Sequence, residues 1–349
     1  MNNIDIIIPT HNRTDLLNRI LNYYSKVGLE FNFIIADSSS PINKAHNKKI
    51  INTYPKLKIL YIDDFPQNLQ QHIKFASMVK YIKSKYCVFC ADDDFILPSA
   101  IKECIQFLEK NPDYTAAHGS YIGFYLFKFL EYRSFWWNFR YSHQSISDNS
   151  PEKRLVSHLS KFTLVTWAVR RTSLVKECYK RLLKADFDPY LLLMYGELLP
   201  DALTVIYGKV RRLNTFYGAR QYFFSIATNY ATLIDALDTK KYQQEYIKFR
   251  KPIVTYLINK KFLSKDKAIK TVDLAMENYL KYSYQEYLVN RLNRLLGYFP
   301  FFLKVFRLLH ARYLLSKNKK DQIGLIDHPT SKYFKDFEAI RQSVLKHDI

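Results

Sequence analysis

The sequence predicts an α/β fold: a mostly parallel sheet flanked by helices, followed by a C-terminal helical region. Three observations carry that expectation. Short β-branched runs alternate with stretches whose apolar residues recur at helical spacing. Polar and acidic residues cluster where the strand-like runs end. Beyond about residue 222 the strand-like runs stop and helical spacing takes over.

The run IDIIIP, residues 4 to 9, reads as a buried strand ending at Pro9. Leu16, Leu17, Ile20, Leu21 and Tyr24 then recur at helical spacing until Gly28. FNFIIADSSS is a second strand, closing on Asp37 and serines. A polar helical stretch leads to LKILYIDD, a third strand. QNLQQHIKFASMVKYIKSK reads as a helix and YCVFCA as a fourth strand that runs into Asp92, Asp93 and Asp94. PSAIKECIQFLEKNPD is a helix and YTAAHGSYIGF a strand. After about residue 124 the chain is aromatic and basic. FTLVTWAVRRTSLVKECYKRLL reads as strand then helix, and YGELLPDALTVIYGKVRRLNTFYGARQY as acidic turn, helix and strand. No Gly- or Ser-rich linker sets the later helical stretches apart. The chain therefore divides into residues 1–222 and a helical region, 223–349, expected to pack on the first part.

Composition narrows the function. At 349 residues with 48% hydrophobic content, the chain can bury a large core. The formal charge of +21 calls for an anionic partner. The basic residues are spread along the chain and form no nucleic-acid module, so nucleic acid is not expected. Cys87, Cys90, Cys104 and Cys178 form no disulfide framework. The Cys87/Cys90 pair lies inside an apolar run and reads as core, which fits a reducing cytosol. MNNIDIIIPTHNR lacks a basic region followed by an apolar run, so no secretory signal is expected. No stretch reaches the roughly 18 consecutive apolar residues of a membrane span.

The triplet Asp92–Asp93–Asp94 raises the sharpest question. Adjacent carboxylates repel, and burying one unpaired is costly. Taken alone it reads equally as a solvated acidic turn before a helix at Pro98, or as a divalent-cation site. Hard Mg²⁺ or Mn²⁺ takes one or two carboxylates plus substrate phosphates. Pro9, Thr10, His11, Asp37 and the triplet all fall at strand carboxyl ends, where parallel sheets bind ligands. That shared placement favours the cation site.

IDIIIPTHNR, FIIADSSS and VFCADDDFILP, at these distances, resemble the nucleotide-sugar-binding half of family 2 glycosyltransferases with a GT-A fold. The resemblance covers roughly residues 1 to 220. It implies that Pro9, Thr10, His11 and Arg13 line a nucleotide pocket. It implies that Asp37 accepts a hydrogen bond from the base, uracil in many members, so a UDP-sugar is the favoured donor. The aspartates would hold the ribose and a Mg²⁺ or Mn²⁺ ion bridging the diphosphate. Here the sequence departs from the pattern, because the usual first aspartate falls on Ala91. A register shifted by one makes Asp92 and Asp94 the functional pair, with Asp94 the main metal ligand and Asp92 toward the ribose. The unshifted register makes Asp93 the ligand.

Many members of that family carry an acidic pair opening a helix, with a glycine about eleven residues after its second member. Gly208 lies eleven residues after Glu197, so Gly196-Glu197 takes the place of the pair. The resemblance then makes Glu197 the base that removes the acceptor proton. Asp201, one helical turn on, shares its face and is the second candidate. The structural alternative is a helix-terminal charge at Glu197 and a surface residue at Asp201. Lys74 and Arg220 are candidates to hold the diphosphate, beside the plain reading of solvated charges.

Residues 291–320 hold eight Lys or Arg and no Asp or Glu, with Leu, Phe and Tyr between them and Pro300 interrupting the run. Such a segment suits an anionic membrane surface. An ordinary helix pair with a basic outer face is the alternative. Tyr121 to His143 could be a second contact or part of an acceptor cleft. The expected protein is a metal-dependent, inverting glycosyltransferase. It would be cytoplasmic or peripheral on the inner face of the cell membrane, acting on a glycan or lipid-linked acceptor in bacterial surface polysaccharide synthesis. A nucleotidyltransferase would show a Gly-rich phosphate loop, which IIPTHNR lacks. A non-catalytic sugar-nucleotide or membrane-binding scaffold is the rival outside enzymes.

Overall fold

In the computed structural model, β1 (Ile4–Thr10) and β2 (Asn32–Asp37) pair in parallel, with Thr10 beside Asp37. β3 (Lys58–Ile62) extends the sheet beyond β2. β4 (Tyr86–Phe89) returns to the other side of β1. This switch of direction opens a crevice outside the carboxyl ends of β1 and β4, the position where open α/β sheets bind ligands. The structure describes residues 3–129, 132–140, 144–162, 164–222, 233–237, 239–297 and 323–346, with Val305 and Leu309.

The crossovers are α1 (Thr14–Val27), α2 (Pro41–Asn52) and α3 (Gln71–Met78). Ser40 caps α2 by accepting from Asn43 N, with Pro41 at the first helical position. The apolar stripe of α1 buries Leu17, Ile20, Leu21 and Tyr24 completely, as the spacing predicts.

The second half of the sheet is mixed rather than parallel. β5 (Asp94–Ile96) leads into α4 (Pro98–Lys110), then β6 (Tyr114–Phe129) and β7 (Tyr132–Arg140). After α5 (Pro151–Ser160) come β8 (Val169–Arg171), α6 (Thr172–Ala185), α7 (Pro189–Tyr207) and β9 (Lys209–Tyr222). The strand order is β3-β2-β1-β4-β8-β6-β9-β5, with β7 on β6. The β6 to β9 pairing is parallel, whereas β8 runs antiparallel to β4 and β6, and β5 antiparallel to β9. The aromatic segment expected as a second contact or part of an acceptor cleft forms the antiparallel β6–β7 pair as far as Arg140, and residues 130–131 and 141–143 lie outside the described residues. The strand expected over FTLVTWAVRR shrinks to β8. Residues 164–168 form a loop instead, because their backbone and side chains bond to α7.

α8 (Leu233–Ala236), α9 (Lys240–Asn259), α10 (Lys265–Gly297) and α11 (Phe334–Lys346) supply the helical region. Phe249, Ile253, Leu257, Val272 and Ile340 join the same hydrophobic core as β1 and β4. α7 is the one described helix long and apolar enough to cross a bilayer, but 72% of that window is buried inside the fold. All four cysteines are free and buried.

Candidate active site

The turn after β1 follows Thr10 and places Asn12 in the left-handed region at φ 53°, which Asn tolerates better than most residues. Asn12 N donates to Ser39 Oγ at 2.7 Å, and Asn12 Oδ1 accepts from Ser40 N at 2.9 Å. His11 Nδ1–H donates to the Ser38 carbonyl at 2.9 Å. The loops after β1 and β2 are thereby tied together, and Pro9, Thr10, His11 and Arg13 meet the β2 end at one place.

The triplet closes the crevice from β4. Thr10 Oγ1 donates to Asp92 Oδ2 at 2.8 Å. Arg13 bridges two carboxylates, reaching Asp92 Oδ1 at 3.2 Å and Asp93 Oδ2 at 2.8 Å. Arg220 Nε donates to Asp94 Oδ2 at 2.8 Å. From α1, Arg19 donates to the Asp93 carbonyl at 3.1 Å and to Gln221 Oε1 at 2.7 Å. Burial, with Asp93 alongside, pushes the Asp92 carboxyl up to about 6 against the pull of Arg13 and Thr10. Lys74 on α3 donates from Nζ to the Thr10 carbonyl at 2.8 Å. Burial lowers its ammonium to about 8, against the raising effect of Asp92 and Asp37.

Asp37 lies beside this cluster but is wholly buried. Its Oδ1 accepts from Ser39 N at 2.8 Å, and its Oδ2 accepts from Asn47 Nδ2 and Tyr61 OH, both at 2.7 Å. The carboxylate therefore already braces the loop after β2.

The second acidic pair differs from expectation. Glu197 does not open a helix: α7 begins at Pro189, where Asp188 accepts from Tyr190 N at 2.9 Å. A capping side chain followed by proline is the stronger start signal. Glu197 sits mid-helix and half-buried, one residue after Gly196, whose missing Cβ leaves room for His72. Pro200 cannot donate to the Gly196 carbonyl, so the ladder lacks a bond across this turn. Asp201 is not a surface residue. It is fully buried, accepting from Val165 N at 2.7 Å and from Thr166 Oγ1 at 2.8 Å. Burial pushes its carboxyl up to about 6, opposed by Arg170 and Thr166. Asp201 clamps the loop before β8 and is not brought to the crevice as a base. That loop carries Trp167, whose ring lies under the Arg220 guanidinium at 4.7 Å.

The donor set suits a hard cation in chemistry, since carboxylate oxygens line the strand end. Among the described residues no three His, Cys, Asp or Glu converge into a preformed cage. The carboxylates of Asp92, Asp93 and Asp94 are met by Arg13 and Arg220, and Arg19 brings a further guanidinium to the Asp93 carbonyl, so protein cations already compensate the cluster. A hard cation would be held here by the Asp94 carboxylate, provided Arg220 yields.

Residues 5–178 match the family described as Glycosyl transferase family 2. The chain is a glycosyltransferase. Among solved structures the glycosyltransferase is similar to S. aureus TarS 1-349, at 15% identity and a TM-score of 0.50, over 81% of this chain and 73% of that one. Against the longer S. aureus TarS structure it spans 44% of that chain. The mannosyltransferase PcManGT from Pyrobaculum calidifontis, in complex with GDP-Man and Mn²⁺, gives 0.42 at 12% identity, over 90% of this chain and 88% of that one. At these identities the likeness is one of fold, here GT-A. No curated protein matches the sequence.

Three residues that the structure brings to the crevice escape a reading of the sequence. Arg19 is fully buried, with its guanidinium over the Phe95 ring at 5.2 Å. It does carry a signal: it occupies a position on the apolar stripe of α1, three residues after Leu16, where a charge is out of place. Trp167 and Gln221 carry no such local signal. They reach the site through the β5–β9 pairing and the Asp201 clamp, both long-range contacts.

Proposed function

We propose that this glycosyltransferase moves a sugar from a nucleotide diphosphate donor, a UDP-sugar first among them, to a glycan or lipid-linked acceptor, with inversion. The observation that supports this is the meeting of carboxylates and cations at the crevice between β1 and β4: Asp92 between Thr10 and Arg13, Asp94 on Arg220, and Lys74 beside them. Pro9, Thr10, His11 and Arg13 line the nucleotide pocket. Asp37 lies where a base edge would meet the end of β2, reached only if its cover of Asn47 and Tyr61 opens.

Asp94 would hold Mg²⁺ or Mn²⁺, with Asp92 toward the ribose. Such an ion supplies positive charge to the departing diphosphate. Arg13, Lys74 and Arg220 orient the phosphates by charge. Glu197 takes the acceptor hydroxyl proton on its carboxylate as the acceptor oxygen attacks. One displacement inverts the anomeric carbon and needs a single base.

The test is a panel of nucleotide sugars with candidate acceptors, with and without EDTA, scored by free nucleotide diphosphate. Release from a UDP-sugar that EDTA abolishes is expected. Nucleotide binding without release from any donor would make the chain a scaffold. Turnover indifferent to EDTA would remove the cation.

We also propose that the protein works at the inner face of a cell membrane, in surface polysaccharide assembly. Tyr284, Leu288, Leu292 and Leu295 recur at helical spacing along α10 and are all exposed, Leu295 at 58%. The basic segment 291–320 overlaps this stripe, and apart from Arg291–Gly297, Val305 and Leu309 it lies outside the described residues. Leucines beside cationic charge suit an anionic headgroup layer. Flotation with phosphatidylglycerol vesicles, but not with phosphatidylcholine vesicles, is expected. It should be lost in Leu288→Glu/Leu292→Glu. Equal behaviour with both lipids counts against the proposal.

A further inference from the structure

Asp94 and Arg220 are register partners across β5 and β9. Their side chains are 6% and 18% exposed, so the Nε to Oδ2 contact at 2.8 Å is shielded from water. The same guanidinium rests on Trp167. Tyr121 OH and Tyr217 OH both donate to the Trp167 carbonyl, at 3.2 and 2.9 Å, and Asp201 holds the two residues before it. Arg220 is thus positioned from several sides onto the one carboxylate to which the proposed function gives the cation.

We propose that Arg220 is an exchangeable counter-cation. It holds Asp94 while the site lacks donor, and it passes to the donor diphosphate when a divalent cation takes that carboxylate. The enzyme then binds cation and nucleotide diphosphate as one unit, and the free cation poorly. The inference rests on the reading of Asp94 as the cation ligand.

Charge balance carries the argument. The carboxylates of Asp92 and Asp93 pair with Arg13 and that of Asp94 with Arg220, while Arg19, bonded to the Asp93 carbonyl, adds a third guanidinium charge beside them. A dication arriving alone must displace Arg220 and leave it uncompensated beside a like charge in a shielded place, which is strongly unfavourable. Arg13 and Arg19 give no relief, being positive themselves, the first paired with Asp92 and Asp93 and the second bonded to the Asp93 carbonyl and Gln221. Lys74 adds another positive group nearby. A diphosphate brings the missing negative charge and accepts the displaced guanidinium in a charge-assisted hydrogen bond. Cation and nucleotide must then raise each other's affinity by the same factor. The competing view, a static cross-strand ion pair, leaves the coupling to the diphosphate's own hold on the cation, so that Arg220→Gln would neither tighten Mn²⁺ alone nor lower the coupling.

The experiment is Mn²⁺ binding by electron paramagnetic resonance on the full chain, with and without UDP, for the wild type, Arg220→Gln and Arg220→Lys. The wild type should hold Mn²⁺ at least about ten-fold more tightly with UDP than without. Arg220→Gln should bind Mn²⁺ alone about ten-fold more tightly than the wild type, bind UDP more weakly, and lose most of the coupling. Arg220→Lys keeps the charge and should stay near the wild type for Mn²⁺ alone. Equal affinity for Mn²⁺ with and without UDP in the wild type overturns the proposal, whatever the variants do. So does an Arg220→Gln protein that folds and binds Mn²⁺ alone no better. If UDP binds but no protein takes up Mn²⁺ even with it, the cation reading of Asp94 fails, and this inference with it.

Discussion

At the end of β4, Asp92, Asp93 and Asp94 are held by guanidinium groups and a threonine hydroxyl. In the middle of α7, Asp201 is held by a backbone N–H and a threonine hydroxyl, with the core closed around it. Both regions bury aspartate, yet they solve the cost of burial differently. A carboxylate paired with a guanidinium can trade that cation for another. Asp201 takes its hydrogen bonds from neutral groups of a loop, with the Arg170 charge nearby rather than bonded to it, and losing it loosens the loop. Partner chemistry, more than burial, separates an aspartate suited to ligand exchange from one suited to bracing.

The largest expected effect tests the exchangeable side. Asp94→Asn keeps the shape but removes the charge that holds Arg220 or a cation. Turnover should fall below detection, and Mn²⁺ uptake with UDP should be lost. Circular dichroism should show a folded chain, since β5 keeps its backbone pairing to β9. Normal turnover with Mn²⁺ would mean that Asp94 is only a cross-strand partner.

Next comes the more accessible acid of α7. Glu197→Gln should retain UDP affinity yet lose about 10²- to 10⁴-fold in transfer rate, because the amide cannot take a proton. If Asp201→Asn proves the crippled variant and Glu197→Gln nearly normal, the division of α7 into a base and a brace is reversed.

How much of this is legible in the sequence depends on how local the signal is. The β1–β4 half follows from β-branched runs and helical spacing, and its strand ends carry Thr10, Asp37 and Asp92 in plain sight. The Arg220 to Asp94 contact spans more than a hundred residues and depends on β5, a strand of three residues that no periodicity could reveal. The α7 boundary is misplaced when the Glu197 and Gly208 spacing is weighted above Asp188-Pro189, a local helix start. The misreading of Asp201 stems from the same error. The i, i+4 rule puts it on the Glu197 face, but the loop at Val165 and Thr166 closes over Asp201. The brace that fixes Trp167 is set by tertiary packing, which a single sequence read along its length does not display.

The brace itself is tested by stability. Asp201→Ala leaves the Val165 N–H and the Thr166 hydroxyl buried without their acceptor, at a cost of about 1–3 kcal/mol. The denaturant midpoint should drop while the transition stays cooperative. Turnover should fall less than in Glu197→Gln, and through weaker donor binding, as Trp167 and Arg220 lose their support. An unchanged midpoint would mean that the loop before β8 stands without Asp201.

The smallest effect concerns Lys74, which links the two sides by bonding the β1 end from α3. Burial lowers its ammonium from an ordinary 10.5 to about 8. Between those values the unfolded chain holds a proton that the folded chain lacks. This group's contribution to stability therefore rises with pH across about 8 to 10.5, and below 8 its buried charge works against folding. Phosphate binding has the opposite sign, because only the ammonium attracts the diphosphate. UDP affinity should fall as pH rises through about 8, by roughly ten-fold, the scale of one hydrogen bond to a charged group. Lys74→Met should abolish both trends: its UDP affinity should be low and flat from pH 7 to 9, and its melting temperature should exceed that of the wild type more at pH 7 than at pH 9. If the wild type shows the stability trend without the affinity trend, Lys74 belongs with Asp201 as a brace. If UDP affinity tracks pH in the wild type and the Met variant alike, another group in the crevice titrates, and Lys74 does not touch the phosphates.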